Sequence, residues 1–369
     1  MTLRVAVIGA GPGGYLAALE CARQGARVTV VEAHRAGGTC LHWGCIPSKM
    51  IREAADRLEA IGQAAQWGIG PLPEVALDMA VLNRRKAKVI ETQAQTIEAM
   101  LKANGVALVH GLARIAGPGV LEVRAGQGPT AVEWDRLILA CGSRPTALAT
   151  LPFDGRRIIS STEALVLEQI PGSIAIVGGG VIGCEFAGIM ASLGARVTLI
   201  EALDRLLPLD AVDPQISAVL MREMKKRNVT VLVDTAVVAA KAGAAGVRLD
   251  LESEGAGRRA VSKVVDAQTV LVCVGRQPAT ADLGLDTIGV ATDARGWVVA
   301  DASMVTSVPG VFAIGDVLGP SKAMLAHAGH RPHPRGPSHR PPGHGVDRRG
   351  HAGRAAGFDR CRHRRHHPR

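Results

Sequence analysis

Twelve residues carry the densest chemistry in the chain: Gly38-Thr39-Cys40-Leu41-His42-Trp43-Gly44-Cys45-Ile46-Pro47-Ser48-Lys49. Two cysteines stand five apart, with Gly44 just before the second and Pro47 just after it. Pro47 suits the first turn of a helix, where its fixed φ fits and its missing N–H is not needed. Cys45 is then expected at a helix N-terminus, where free N–H groups and the dipole favour a thiolate. A thiolate-prone cysteine beside a second thiol can form a reversible redox disulfide. Two ordinary half-buried cysteines would share this spacing, so the neighbouring elements must decide. Cys21, Cys141, Cys184 and Cys273 fall on predicted helices or strands and read as small core residues, and Cys361 has no assigned role.

The elements that must position this segment begin at once. Arg4–Ile8 reads as a buried strand running into Gly9-Ala10-Gly11-Pro12-Gly13-Gly14, followed by a helix to about Gln24 and a strand, Arg27–Val31, ending at Glu32. This is the pattern of a dinucleotide-binding βαβ unit. Gly9 makes the tight turn, Gly11 lets the backbone approach a pyrophosphate, and Gly14 lets helix pack on strand. The helix N-terminus supplies N–H groups to phosphates, and Glu32 can bond ribose hydroxyls.

The unit recurs with an offset of 169: Gly178, Gly180 and Gly183 repeat Gly9, Gly11 and Gly14, and Glu201 repeats Glu32. Two such units imply two cofactors, or a cofactor and a co-substrate. The alternative is a structural repeat that binds nothing, which leaves the phosphate-approach glycines without a use. A carboxylate at Glu201 bonds a 2′-hydroxyl and repels a 2′-phosphate, which favours NAD over NADP. Between the units, Arg52–Gln66 and Ala80–Ala103 have helical periodicity, and Arg84-Arg85-Lys86 reads as a solvated helix face. Short strands are expected over 106–139, an amphipathic helix near Asp213–Arg227, and further strands to Val274.

Taken in order, the twelve-residue string, the two glycine units, Cys141-Gly142-Ser143-Arg144-Pro145, Val274-Gly275-Arg276-Gln277-Pro278, Val311–Asp316 and Met324–His327 resemble the flavin disulfide reductases. The closest match is their dihydrolipoamide dehydrogenase branch. The resemblance runs from Arg4 to about Ala328 and implies an α/β fold with two Rossmann-like domains. The FAD domain would span 1–146 and 272–328, with the NAD domain, 147–271, inserted into it. Cys141 replaces the family's usual threonine, a small-for-small change.

The resemblance also assigns roles. FAD would be held by Gly9, Gly11, Gly13, Gly14, Glu32, Thr39, Lys49, Ala113, Ser143, Asp316, Met324, Leu325, Ala326 and His327. NAD would be held by Gly178, Gly180, Val181, Ile182, Gly183, Glu185, Glu201, Gly275 and Arg276. Cys40 would be the exposed interchange thiol and Cys45 the thiol against the flavin, with Lys49 and Glu185 paired near its reactive nitrogen. The implied reaction oxidises dihydrolipoyl groups through a Cys40–Cys45 disulfide and FAD and reduces NAD⁺. Partners would be the lipoyl domain of a 2-oxo acid dehydrogenase complex and a second copy in a homodimer. Related readings are a mercuric- or glutathione-type reductase, against whose NADP-linked branches Glu201 speaks, and an NADH diaphorase.

At Gly329 the composition changes. The net charge of +10 is mostly the tail's, since residues 329–369 hold 11 Arg and only two Asp, with eight His, seven Gly and six Pro. They contain no Leu, Ile, Met, Trp or Tyr, and such a stretch builds no core. A shifted reading frame in a GC-rich gene gives this composition, and the family's C-terminal interface domain, with its His-Glu base, has no match here. Little dihydrolipoamide turnover is therefore expected. Rival readings of the tail are nucleic-acid binding through arginine–phosphate contacts, with Phe358 the one aromatic residue for stacking, and metal binding, for which the histidines lack ligand spacing. A non-catalytic flavoprotein with such a tail is the reading from another class. No apolar run reaches the roughly 18 residues of a membrane span, and the first strand starts at Leu3 with no leader before it, so a cytoplasmic enzyme without a metal is expected.

Overall fold

A computed structural model describes residues 1–319, apart from Pro71, Gln127, Ala256 and Gly257. Met324–His327 and the tail at 329–369 lie outside the described residues. The chain begins with β1 (Arg4–Ile8), α1 (Pro12–Arg23) and β2 (Arg27–Glu32). The redox segment follows as a short helix α2 (Gly38–His42) and a long helix α3 (Cys45–Gly62), and then come α4 (Met79–Ala103) and β3 (Ala107–His110). An antiparallel meander, β4 (Leu112–Gly117), β5 (Val120–Ala125) and β6 (Gly128–Glu133), leads into β7 (Arg136–Leu139) and β8 (Ser143–Pro145).

The second half repeats the plan. It runs through β9 (Ile158–Ile159), α5 (Ser161–Ala164), β10 (Ser173–Val177), α6 (Val181–Ser192), β11 (Arg196–Ile200), α7 (Pro214–Lys226) and β12 (Thr230–Leu232). A second meander, β13 (Thr235–Gly243), β14 (Gly246–Gly255) and β15 (Arg258–Ala267), precedes β16 (Thr269–Val272). β17 (Arg276–Pro278) and β18 (Val311–Ala313) return to the first half.

Two five-stranded parallel sheets result, ordered β18-β7-β1-β2-β3 and β12-β11-β10-β16-β9. Their central strands are apolar throughout because both faces are covered. On β10, Ile174 and Ile176 join a core with α6 and with Ile51, Ala55 and Leu82 of α3 and α4. Ala175 and Val177, on the opposite face, pack on Val247, Leu249 and Leu251 of the second meander. The helix that starts at Cys45 is thus built into the core of the second sheet. The chain's passages between sheets, β8 and β17, pair with each other antiparallel, Ser143 opposite Pro278 and Pro145 opposite Arg276.

Two expectations need correction. α3 starts at Cys45, ahead of the periodic stretch Arg52–Gln66, and ends at Gly62; Pro47 is its third residue, in the first turn. Its missing N–H is harmless there because the first four N–H groups of a helix have no intrahelical partner. Of Arg84-Arg85-Lys86, the arginines are exposed but Lys86 is only 3% exposed. It shares a helix face with buried Leu82, four residues earlier. Its ammonium donates to the Leu165 carbonyl, and burial pushes it down to about 8. Among the described residues no helix is long and apolar enough to cross a membrane.

Candidate functional site

The first glycine loop divides its labour as the sequence suggests. Gly9 has φ +99°, and a Cβ there would lie 2.3 Å from the Ala140 carbonyl oxygen. One on Gly14 would lie 1.9 Å from the Gly9 oxygen. Both are therefore fixed by packing. Gly11 caps α1, and a side chain there would meet only the Gly38 Cα, at 3.8 Å. A substituent on Gly13 would make ordinary contact with Ile314, so sterics alone do not demand glycine at that position.

Glu32 is buried, and its carboxylate accepts the N–H of Ala10 at 2.7 Å and of His34 at 2.8 Å. It therefore braces the loop, with lone pairs left for a ribose hydroxyl. Beyond it, Gly111 donates its N–H to the Glu32 carbonyl, which sets Ala113 close to the end of β2.

The redox segment packs directly on this loop. Gly38 has φ +58°, and a Cβ there would come 2.6 Å from the Gly11 Cα. Gly38 had no assigned role within the twelve-residue string; the Gly37-Gly38 pair ahead of the cysteines was the available signal. Thr39 and Cys40 lie on α2, whose last turn closes with Trp43 N–H on the Thr39 carbonyl. Cys45 is the first residue of α3, which satisfies the expected placement at a helix N-terminus.

Both cysteines are free thiols in the structure. Cys45 is exposed and Cys40 half-buried, the reverse of the expected ranking, because Cys40 is tucked into α2 while Cys45 opens α3 behind Gly44. Burial, then the neighbouring Cys45 thiol, push Cys40 up to about 11. Cys21 and Cys184 are buried, and burial raises both to about 11. Cys141 is pushed up to about 12, and Cys273 is raised further. Cys21 and Cys184 are core residues, whereas Cys141 and Cys273 are half-buried and pack against the two cores.

The second loop repeats the first. A Cβ on Gly178 would meet the Cys273 carbonyl oxygen at 2.5 Å and one on Gly183 the Gly178 oxygen at 1.8 Å, whereas at Gly180, the cap of α6, it would meet nothing within 4 Å. Val181 is exposed beside that opening and Ile182 packs into the core. Buried Glu201 accepts the N–H groups of Gly179, at 2.5 Å, and Leu203, at 2.9 Å. From α6, Glu185 forms an ion pair with Lys49 of α3. The structure thus joins the two charges that the sequence only suggested.

A third cluster forms where the chain passes between sheets. Ser143, Arg276 and Asp316 come together: Arg276 donates from Nε to Ser143 Oγ at 2.6 Å and from Nη2 to the Ser143 carbonyl at 2.7 Å, and Ser143 Oγ donates to Asp316 Oδ2 at 2.9 Å. Gly275 accepts the Thr146 N–H at 3.1 Å. Burial lowers the Arg276 guanidinium below its ordinary value, and Asp316 opposes that shift.

The open faces of Gly11 and Gly180, each a helix N-terminus flanked by a braced carboxylate, fit two dinucleotides. A family profile described as pyridine nucleotide-disulphide oxidoreductase matches residues 3–332. The dihydrolipoyl dehydrogenase of Chlamydia pneumoniae is 37% identical over 321 residues, 87% of this chain and 66% of its own length. That of Geobacillus stearothermophilus is 37% identical over 322 residues, with the same two coverages. Among solved structures, LpdA from Mycobacterium tuberculosis matches with a TM-score of 0.77 at 25% identity, over 88% of this chain and 71% of its own. The chain spans just under two thirds of the length of those two curated relatives.

Proposed function

The chain belongs to the pyridine nucleotide-disulphide oxidoreductase family, enzymes that use FAD and NAD, and we propose that it carries the disulfide, flavin and NAD sites of a dihydrolipoyl dehydrogenase. The first sheet would hold FAD and the second NAD. The observation that carries this reading is the Lys49–Glu185 ion pair. It ties the helix opened by Cys45 to the helix capped by Gly180, so thiols and second nucleotide loop share one framework.

In the oxidised state Cys40 and Cys45 form the electron acceptor. A substrate dithiol closes to a disulfide and the Cys40–Cys45 bond opens to two thiols, which take up the substrate's two electrons and two protons. FAD, when bound, supplies the two-electron chemistry between this pair and the nicotinamide. Lys49 stands one helical turn after Cys45 on the same face, which places an ammonium on the thiol's side of α3. Glu201 offers its remaining lone pairs to a 2′-hydroxyl and disfavours a 2′-phosphate. The relatives' names point to a dihydrolipoyl group as the dithiol, which a lipoyl domain of a 2-oxo acid dehydrogenase complex would present.

Exchange needs a thiolate attacker, which in this direction is a substrate thiol, so a base must take its proton. Among the described residues no histidine ring is hydrogen-bonded to a carboxylate; His42 bonds the Ala36 carbonyl. Diaphorase turnover with NADH is accordingly expected to exceed dihydrolipoamide turnover in this chain. The test is an anaerobic thiol count on the purified chain with its flavin, before and after excess NADH. Two additional reactive thiols are expected, and none in Cys40→Ser. Flavin reduced without new thiols would reduce the reading to a diaphorase, and a chain that takes up no flavin would overturn it.

A further inference from the structure

The passage β8–β17 carries the most constrained polar group of the molecule. Arg276 opens β17 opposite Pro145, and both of its recorded hydrogen bonds go to Ser143, from Nε to Oγ and from Nη2 to the carbonyl. None is recorded to the second glycine loop. A guanidinium has donors only, so Ser143 Oγ must accept from it, and a hydroxyl has a single proton to give. That proton goes to Asp316 Oδ2, which Arg276 Nε itself approaches to 3.8 Å. The relay Arg276→Ser143→Asp316 therefore has one allowed direction.

Its far end lies at the first nucleotide loop. Asp316 sits in the short turn Gly315–Leu318 that follows β18, and Ile314, two residues earlier, faces Gly13 of the loop. Ser143 is 9% exposed and the Arg276 side chain 21%, but the Asp316 side chain is 39% exposed. The relay occupies Oδ2 and leaves Oδ1 as an acceptor on the open side. We infer that Arg276 is a positioning residue of the flavin site: acting through Ser143, it fixes Asp316 so that one carboxylate oxygen is held ready for a hydroxyl of the flavin's polyol chain. This rests on the reading of the first unit as the FAD site. It also makes the strand that returns from the second sheet part of the flavin's support.

The test compares FAD and NAD⁺ affinities of the full chain, stripped of flavin, with those of Arg276→Ala, Ser143→Ala, the double variant and Arg276→Lys. FAD binding is read by fluorescence quenching and NAD⁺ binding by calorimetry. Arg276→Ala is expected to weaken FAD roughly ten- to hundredfold, the range for loss of a hydrogen bond to a charged group, with NAD⁺ affinity kept. Ser143→Ala should weaken FAD similarly, and the double variant should be no worse than either, since the residues act in series. Arg276→Lys, which restores a cationic donor, should recover part of the loss, whereas a merely structural role would gain nothing from it. If Arg276→Ala does not fold, Ser143→Ala removes one hydroxyl and carries the same test. Unchanged FAD affinity in these variants, or a loss confined to NAD⁺, overturns the inference while the parent still binds FAD. A parent chain that binds no FAD overturns the function reading and the inference together.

Discussion

The two βαβ units share a backbone and differ in what they touch. Their carboxylates do the same work: Glu32 accepts from Ala10 and His34, and Glu201 from the equivalent Gly179 and Leu203. The difference lies in front of the caps and one step along the helices. Gly11 faces Gly38 of the redox segment, whereas Gly180 faces open space. Leu16 on α1 is 54% exposed, while its counterpart on α6, Glu185, pairs with Lys49. Thus the first unit receives the redox segment on its loop and the second holds it by its helix. Two residues outside the repeat, Gly38 and Lys49, join the two copies of one fold.

The largest expected effect separates the units. Gly14→Ala and Gly183→Ala each place a Cβ within 2 Å of a carbonyl oxygen, which should cost near the top of the ~1–3 kcal/mol range for overpacking, or more. Gly14→Ala should empty the chain of flavin, and Gly183→Ala should abolish NAD⁺ binding with flavin kept. Flavin absorbance and an NAD⁺ titration on both variants decide. Identical losses of both ligands would show that the units are not separable.

Lys86 comes next, because it fastens α4 to Leu165 on the approach to the second sheet. In the folded chain it loses its proton near pH 8, against 10.5 ordinarily. Between these values the unfolded chain holds the extra proton, so stability rises with pH across the window. Lys86→Met should gain about 1–2 kcal/mol at pH 7, after allowing for the unmet Leu165 carbonyl, and lose that rise. Urea unfolding of both proteins at pH 7, 9 and 10 checks it; parallel pH profiles would contradict it.

The braced carboxylates should follow at about 1–2 kcal/mol each, since truncation strands two N–H groups. Glu201→Ala is expected to weaken NAD⁺ about tenfold and spare FAD, and Glu32→Ala to do the converse. The smallest effect is expected for Glu185→Leu, which copies Leu16 into the second unit. An ion pair with a 63% exposed lysine contributes less than about 1 kcal/mol, so melting should move little. A large drop in melting temperature would mean that the pair organises more than it bridges.

Much of this was legible in the sequence because it is local. Strand, glycines, helix and acid follow one another within thirty residues, and Gly14 and Gly183 answer to Gly9 and Gly178 five positions earlier, although Gly9 and Gly178 themselves answer to Ala140 and Cys273 far along the chain. The N-terminus of α3 was legible from Pro47 and Cys45, whereas the helical periodicity was read only from Arg52 onward. Lys86 was misread because a basic run says nothing of which residue shares a face with Leu82. Arg276 was assigned to the second nucleotide through the resemblance of Val274–Pro278 to the family segment that closes the NAD domain, and its contacts could not be read from that. Its partners, Ser143 and Asp316, lie far away along the chain and meet it only through the pairing of β8 with β17.

That ribbon bears on chain entropy. β18 pairs with β7 across the entire second half of the molecule, and closing a disordered loop of such length carries a cost that grows with the logarithm of its residue number. Once the second sheet is folded and its two ends are clasped at Ser143 and Pro278, the loop that remains to be closed runs only from the ribbon to Val311. The inserted half therefore staples the edge of the half it interrupts, and a lesion that melts the insert should be felt first at β18 and at Asp316 beside it.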